Sequence, residues 1–107
     1  MSTASRPQPI SSDPVKVDPK HYTVESENDR VRVLRVKYGP GEKSEMHGHP
    51  AVVAVFLTEN HGRFTYPDGR TEERSWKAGE CMVMPAEEHL PENVSDNPLE
   101  LVLIELK

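Results

Sequence analysis

Short apolar runs recur roughly every 8–12 residues along this chain, with turn signals between them. His21 to Ser26 holds Tyr22 and Val24 two apart. Val31 to Tyr38 sets Val31 and Val33 on one phase and Leu34, Val36 and Tyr38 on the other. That change of phase predicts a bulge, or a strand apolar on both faces. Gly39-Pro40-Gly41 is a strong turn. Val52 to Leu57 is continuously apolar, as expected of a strand deep in a sandwich or barrel. Gly62 to Tyr66 and Arg70 to Trp76 flank Pro67-Asp68-Gly69, where proline presets φ and glycine takes the left-handed position of a hairpin. Gly79 to Met84 is a further strand, closed by Pro85. In the last segment Leu99, Leu101 and Leu103 alternate with Val102, Ile104 and Leu106, so both faces are expected to be covered. No stretch of helical length carries an i, i+3, i+4, i+7 apolar stripe. The prediction is an all-β sandwich or barrel.

The 107 residues fit one domain. Residues 1–19 read as a flexible Pro/Ser-rich tail, with Pro7, Pro9, Pro14 and Pro19 among four serines. Residues 20–107 read as the barrel domain. The tail is expected to be dispensable for the fold unless it is an arm exchanged with a partner. Only 35% of the chain is hydrophobic, so the core is thin and a homodimer is expected. Net charge is −5, from 18 acidic and 13 basic residues without a basic block. Nucleic acid is therefore not an expected partner. Ala51 to Leu57 is the longest apolar run, well short of the roughly 20 residues of a membrane span, and no secretory signal is visible. A single cysteine, Cys81, fits a cytoplasmic protein and is expected to be a small buried hydrophobe.

Chemistry concentrates in two stretches. His47 and His49 are two apart, so on a strand both imidazoles share one face. A third imidazole, His89, arriving from a distant strand would complete one face of a metal's coordination sphere. Each ligating ring would need an acceptor for its other nitrogen, with Asn93 and backbone carbonyls as candidates. Glu87 and Glu45 each precede a histidine by two residues and read most simply as solvated acids. Trp76, Phe56, Phe64 and Tyr66 read as core or interface residues, one or two of them lining a pocket. His21 and His61 are expected at the surface, and Glu72-Glu73-Arg74 on a solvated hairpin face.

Gly41, His47 and His49 match the first motif of the cupin superfamily in kind and spacing. Gly79, Pro85, His89 and Asn93 resemble the second, although Glu87 replaces its glycine and the step from Pro85 to His89 is one residue short. The chain thus resembles a small single-domain cupin. The resemblance implies a double-stranded β-helix, or jelly-roll barrel, commonly paired as a homodimer. It places His47, His49 and His89 at three metal-ligand positions, for one divalent transition metal per subunit (Fe, Mn, Ni, Cu or Zn). The family's glutamate position falls at Val53 or Ala54 and is vacant, unless Glu87 or Glu45 replaces it. That makes a glutamate-less three-histidine variant, resembling the cysteine and diketone dioxygenases more than oxalate decarboxylase. The function implied is a metal-binding cupin, an Fe(II)-type dioxygenase or related oxygenase or isomerase acting on a small organic molecule. The alternative is a non-catalytic module that binds a small ligand.

Overall fold

Turns at the predicted places cut the chain into strands. The computed structural model describes residues 12–107. One helical turn, α1 (Pro14–Val17), precedes nine strands: β1 (Tyr22–Glu27), β2 (Val31–Tyr38), β3 (His47–His49), β4 (Val52–Phe56), β5 (Asn60–Thr65), β6 (Thr71–Trp76), β7 (Cys81–Met84), β8 (Glu87–Asn93) and β9 (Leu99–Leu106). They form two antiparallel sheets, ordered β1-β2-β9-β4-β7 and β3-β8-β5-β6. The Pro67-Asp68-Gly69 hairpin joins β5 to β6, with Gly69 N bonded to Tyr66 O and φ of Gly69 at +89°.

The five-stranded sheet supplies most of the core. Tyr22, Leu34, Val36, Tyr38 and Leu99 form one buried cluster. Val52, Ala54 and Phe56 of β4 are buried beside it. The phase change in β2 has its counterpart one strand away. β2 itself is regular, buried at Leu34, Val36 and Tyr38 and half-buried at Val31 and Val33. The bulge lies in β1, where the register slips between Val24 and Ser26 opposite Leu34 and Val33.

β8 contains Pro91 and follows Pro85. It is nonetheless an inner strand, between β3 and β5. Pro91 pairs with Phe64 of β5, while its carbonyl accepts from Ser44 N on the β3 side. The missing N–H faces that same side, beyond the end of β3, so no ladder bond to β5 is lost.

Three expectations change. Residues 1–11 of the tail lie outside the described residues, but residues 12–18 pack on the barrel. Ser12 O accepts from Gly48 N, and Asp13 meets Arg32 at 2.9 Å, which also holds the buried Glu105 at 2.7 Å. Cys81 is exposed, not buried. β7 is an edge strand, and Cys81 lies opposite the half-buried Val55 on its outer face. His21 is buried, not at the surface, with its ring stacked 4.1 Å from that of Tyr38. His61 is exposed, as expected. Among the described residues, no helix is long and apolar enough to cross a membrane.

Candidate functional site

The site is built where β3 meets β8. The antiparallel register sets His47 opposite His89 and His49 opposite Glu87. Alternation then puts these four side chains on one face, because residues two apart share a side and paired residues do too. That face is the interior of the barrel. His47, His49 and His89 are all buried. The ring of His89 lies 5.1 Å from that of His47 and 4.9 Å from that of His49. Ligand atoms of His49, Glu87 and His89 lie within 4.8 Å of one another, a group able to hold a metal ion. His47 stands beside this group and not within it.

Each ring has one nitrogen occupied. His47 Nδ1 meets the carbonyl of Glu45 at 3.0 Å, and His49 Nδ1 meets the carbonyl of Pro50 at 2.6 Å. A carbonyl only accepts, so both Nδ1 atoms carry the proton and both Nε2 atoms carry the lone pair in the neutral ring. His89 Nδ1 meets Glu87 Oε1 at 3.0 Å. Burial and the neighbouring His89 push His47 down to about 3 and lower His49 as well. Both rings are therefore neutral at pH 7, the form in which imidazole binds a metal.

Glu87 is not the solvated loop acid its sequence context suggested. It is half-buried on β8 and also faces Arg74 at 3.3 Å. Burial alone would raise its carboxyl, but the hydrogen bond from His89 and the charges of His89, Arg74 and His49 outweigh that and bring it to about 2. Its one sequence signal was the i, i+2 spacing to His89. Glu45 is exposed and serves the site through its backbone carbonyl alone. Asn93 is buried but binds no histidine. It ties the Gly39 turn to the β8–β9 loop through Gly39 O at 3.1 Å and Asn97 O at 2.8 Å. At the family's glutamate position, Ala54 is fully buried on the inner face and Val53 turns outward.

Below the histidines lies a cavity of about 70 Å³ lined by Tyr22, Val52, Phe56, Phe64, Trp76 and Leu103, among others. Phe56 and Trp76 stack at 4.5 Å, and Phe64 lies 5.3 Å from the His89 ring. The volume is about half of the roughly 150 Å³ that admits benzene into an engineered apolar cavity. It suits a ligand of a few heavy atoms. Arg74 also belongs to the site. The sequence placed it on a solvated hairpin, but it sits over the Phe64 ring at 5.0 Å and bonds Tyr66 Oη at 2.6 Å.

No family model and no curated protein matches the chain. Solved structures do. An RmlC-like cupin family protein with a double-stranded β-helix fold from Methanocaldococcus jannaschii is 19% identical, with a TM-score of 0.61 over 83% of each chain. Oxalate decarboxylase of Bacillus subtilis, a protein with Mn(II) centres, is 25% identical over 73% of this chain and 22% of its own, with a TM-score of 0.56. A cupin domain from Bordetella pertussis Tohama I is 30% identical over 80% of this chain and 91% of its own, with a TM-score of 0.74. Identity at that level over nearly the whole Bordetella domain goes beyond a shared fold, and the chain belongs to the cupin superfamily.

Proposed function

We propose that His47, His49 and His89 hold one divalent transition metal, and that the protein is a metalloenzyme acting on a small, largely apolar organic molecule. One observation carries the reading. All three rings have Nδ1 bound to an acceptor, and among the described residues no group bonds any Nε2. Metal-ligating histidines are arranged in this way, one nitrogen fixed by an acceptor and the other left to the ion. A bound divalent metal would supply open positions for substrate and O₂ and a Lewis-acid or redox centre. The protein's part is to keep the imidazoles neutral, hold their tautomers and surround the substrate with aromatic walls. Three neutral ligands without a first-motif glutamate favour an Fe(II)-type dioxygenase. The apolar cavity equally suits a module that binds a small ligand without chemistry. Elemental analysis of the purified protein separates the two. About one iron, and oxygen uptake with small thiols or other substrates of a few heavy atoms, supports the enzyme; well under one metal per chain leaves the binding module.

We propose also that a second copy of the chain covers the outer face of the five-stranded sheet. Register lines up Val33, Ile104, Val53 and Val83 in one row across four strands, and Val102, Val55 and Cys81 in the next. Val83 is 71% exposed. With strands about 4.8 Å apart and the two rows about 7 Å apart, this patch spans roughly 20 Å by 12 Å, on the order of 250 Å². It would form the apolar centre of the roughly 800 Å² that each partner of a standard-size interface buries. Light scattering should return twice the chain mass, and Val83→Glu should halve it. A monomeric wild type at micromolar concentration would remove the proposal.

A further inference from the structure

Glu87 shares a face with the three histidines and groups with His49 and His89, and the simplest reading makes it the missing ligand. Its hydrogen bonds argue for another role. His47 and His49 spend their Nδ1 protons on backbone carbonyls, whereas His89 has Glu87 Oε1 in that place at 3.0 Å. The other oxygen of Glu87 faces Arg74 at 3.3 Å. Arg74 is itself anchored, by Tyr66 Oη at 2.6 Å and by Glu72 at 3.1 Å. Both carboxylate oxygens are thus turned toward donors, one of them on the Nδ1 edge of the ring and away from Nε2. Recruiting Glu87 to the metal would break the bond that fixes the His89 tautomer.

We propose that Glu87 is a positioning residue and not a ligand: anchored by Arg74, it keeps the His89 proton on Nδ1 and leaves Nε2 as the donor to the metal. This rests on the metal reading above. A carboxylate behind a ligating imidazole also makes that ring a better donor, so Glu87 adds affinity without occupying a coordination position. In that arrangement the chain compensates for Ala54 electrostatically, from the strand opposite, while the open side of the site stays free.

The test is Co(II) titration of the chelator-stripped protein, read as affinity and as the visible absorption of the bound ion. Glu87→Ala should weaken Co(II) by about 10–100-fold. Glu87→Gln keeps an oxygen to accept from Nδ1 and should recover most of that loss. Arg74→Gln should cost less than Glu87→Ala. All of these variants should keep the wild-type band positions and intensities, since the donor set is unchanged. A Glu87→Gln spectrum that differs from wild type, with affinity as low as that of His49→Ala, would make Glu87 a ligand and overturn the proposal. Equal affinity in wild type and both Glu87 variants would also overturn it. A wild type that binds no Co(II) would sink the metal reading itself. Should Glu87→Ala not fold, the Glu87→Gln spectrum and affinity decide alone.

Discussion

Two buried histidine clusters lie on either side of the Tyr22–Tyr38 pair, and they use imidazole in opposite ways. On one side His21 is closed at both nitrogens, with Nδ1 on Asp18 at 2.8 Å and Nε2 on Glu42 at 3.0 Å. Its ring is stacked on Tyr38. On the other side His47 lies 5.0 Å from the Tyr22 ring, its Nδ1 held by Glu45 O and its Nε2 unpaired among the described residues. Tyr22 and Tyr38 join their hydroxyls at 2.7 Å between the two. Burial alone does not separate them, since His21 is 6% exposed and His89 is 6% exposed. The nitrogens do. A ring with both ends bonded is a structural tie; a ring with one end bonded and one end open to a cavity is prepared for a ligand.

The largest effect should come from the open cluster. A metal that binds the folded form alone stabilises it by about 4 kcal/mol at a thousandfold excess over Kd, which for a domain near 100 residues raises Tm by more than about 10 °C. His49→Ala should remove most of that rise while leaving the metal-free melting temperature near wild type. Calorimetry with and without Mn(II), Zn(II) or Co(II) reads it, and a full metal-induced rise in His49→Ala would erase the distinction between the clusters.

Next in size is the closed cluster. His21→Ala leaves Asp18, whose side chain is 8% exposed, without its partner. An unsatisfied buried acceptor costs about 2 kcal/mol, so the metal-free protein should melt several degrees lower. The metal-induced rise should be unchanged. Loss of metal binding in this variant would show that the two clusters are coupled through the tyrosines.

A smaller effect is expected in acid. Gly39 N–H first, then Lys20 and His21, hold the Glu42 carboxyl at about 2 against an ordinary 4.5. A carboxyl lowered on folding contributes stability that is complete above its unfolded value and is lost as pH falls toward its folded one. Glu42→Gln should therefore flatten the decline in stability between about pH 4.5 and 2, measured by urea unfolding. Equal slopes in the two proteins would mean that the closed cluster contributes nothing to acid sensitivity. The smallest effect belongs to His61→Ala. That ring is exposed, paired with Ser75 and Glu73, and both melting temperature and metal response should stay at wild type.

Much of the site was legible before any fold was known. His47 and His49 had to share a face once they lay on a strand, and the second motif supplied His89. Glu87 reads as solvated from sequence alone, because i, i+2 spacing shows a shared face only if the segment is a strand. Arg74 gave no signal at all: its part depends on β6 folding back over Phe64, a contact between residues ten apart in a hairpin whose composition reads as solvated. His21 and His61 looked alike as lone histidines outside the motifs. Only the packing of α1 and the Gly39 turn against β1 sent one inside.

Local sequence determined the strands, the glycine turn at Gly69 and the pairing of imidazoles by phase, because alternation and φ preference act over a few residues. Tertiary structure decided the rest. Which phase faces inward, which strand is an edge and which acceptor fixes each imidazole depend on strands brought together across the chain. Cys81 shows the limit. Residue type alone reads it as buried, yet it lies on the outer face of β7, a strand that ends its sheet, and is exposed.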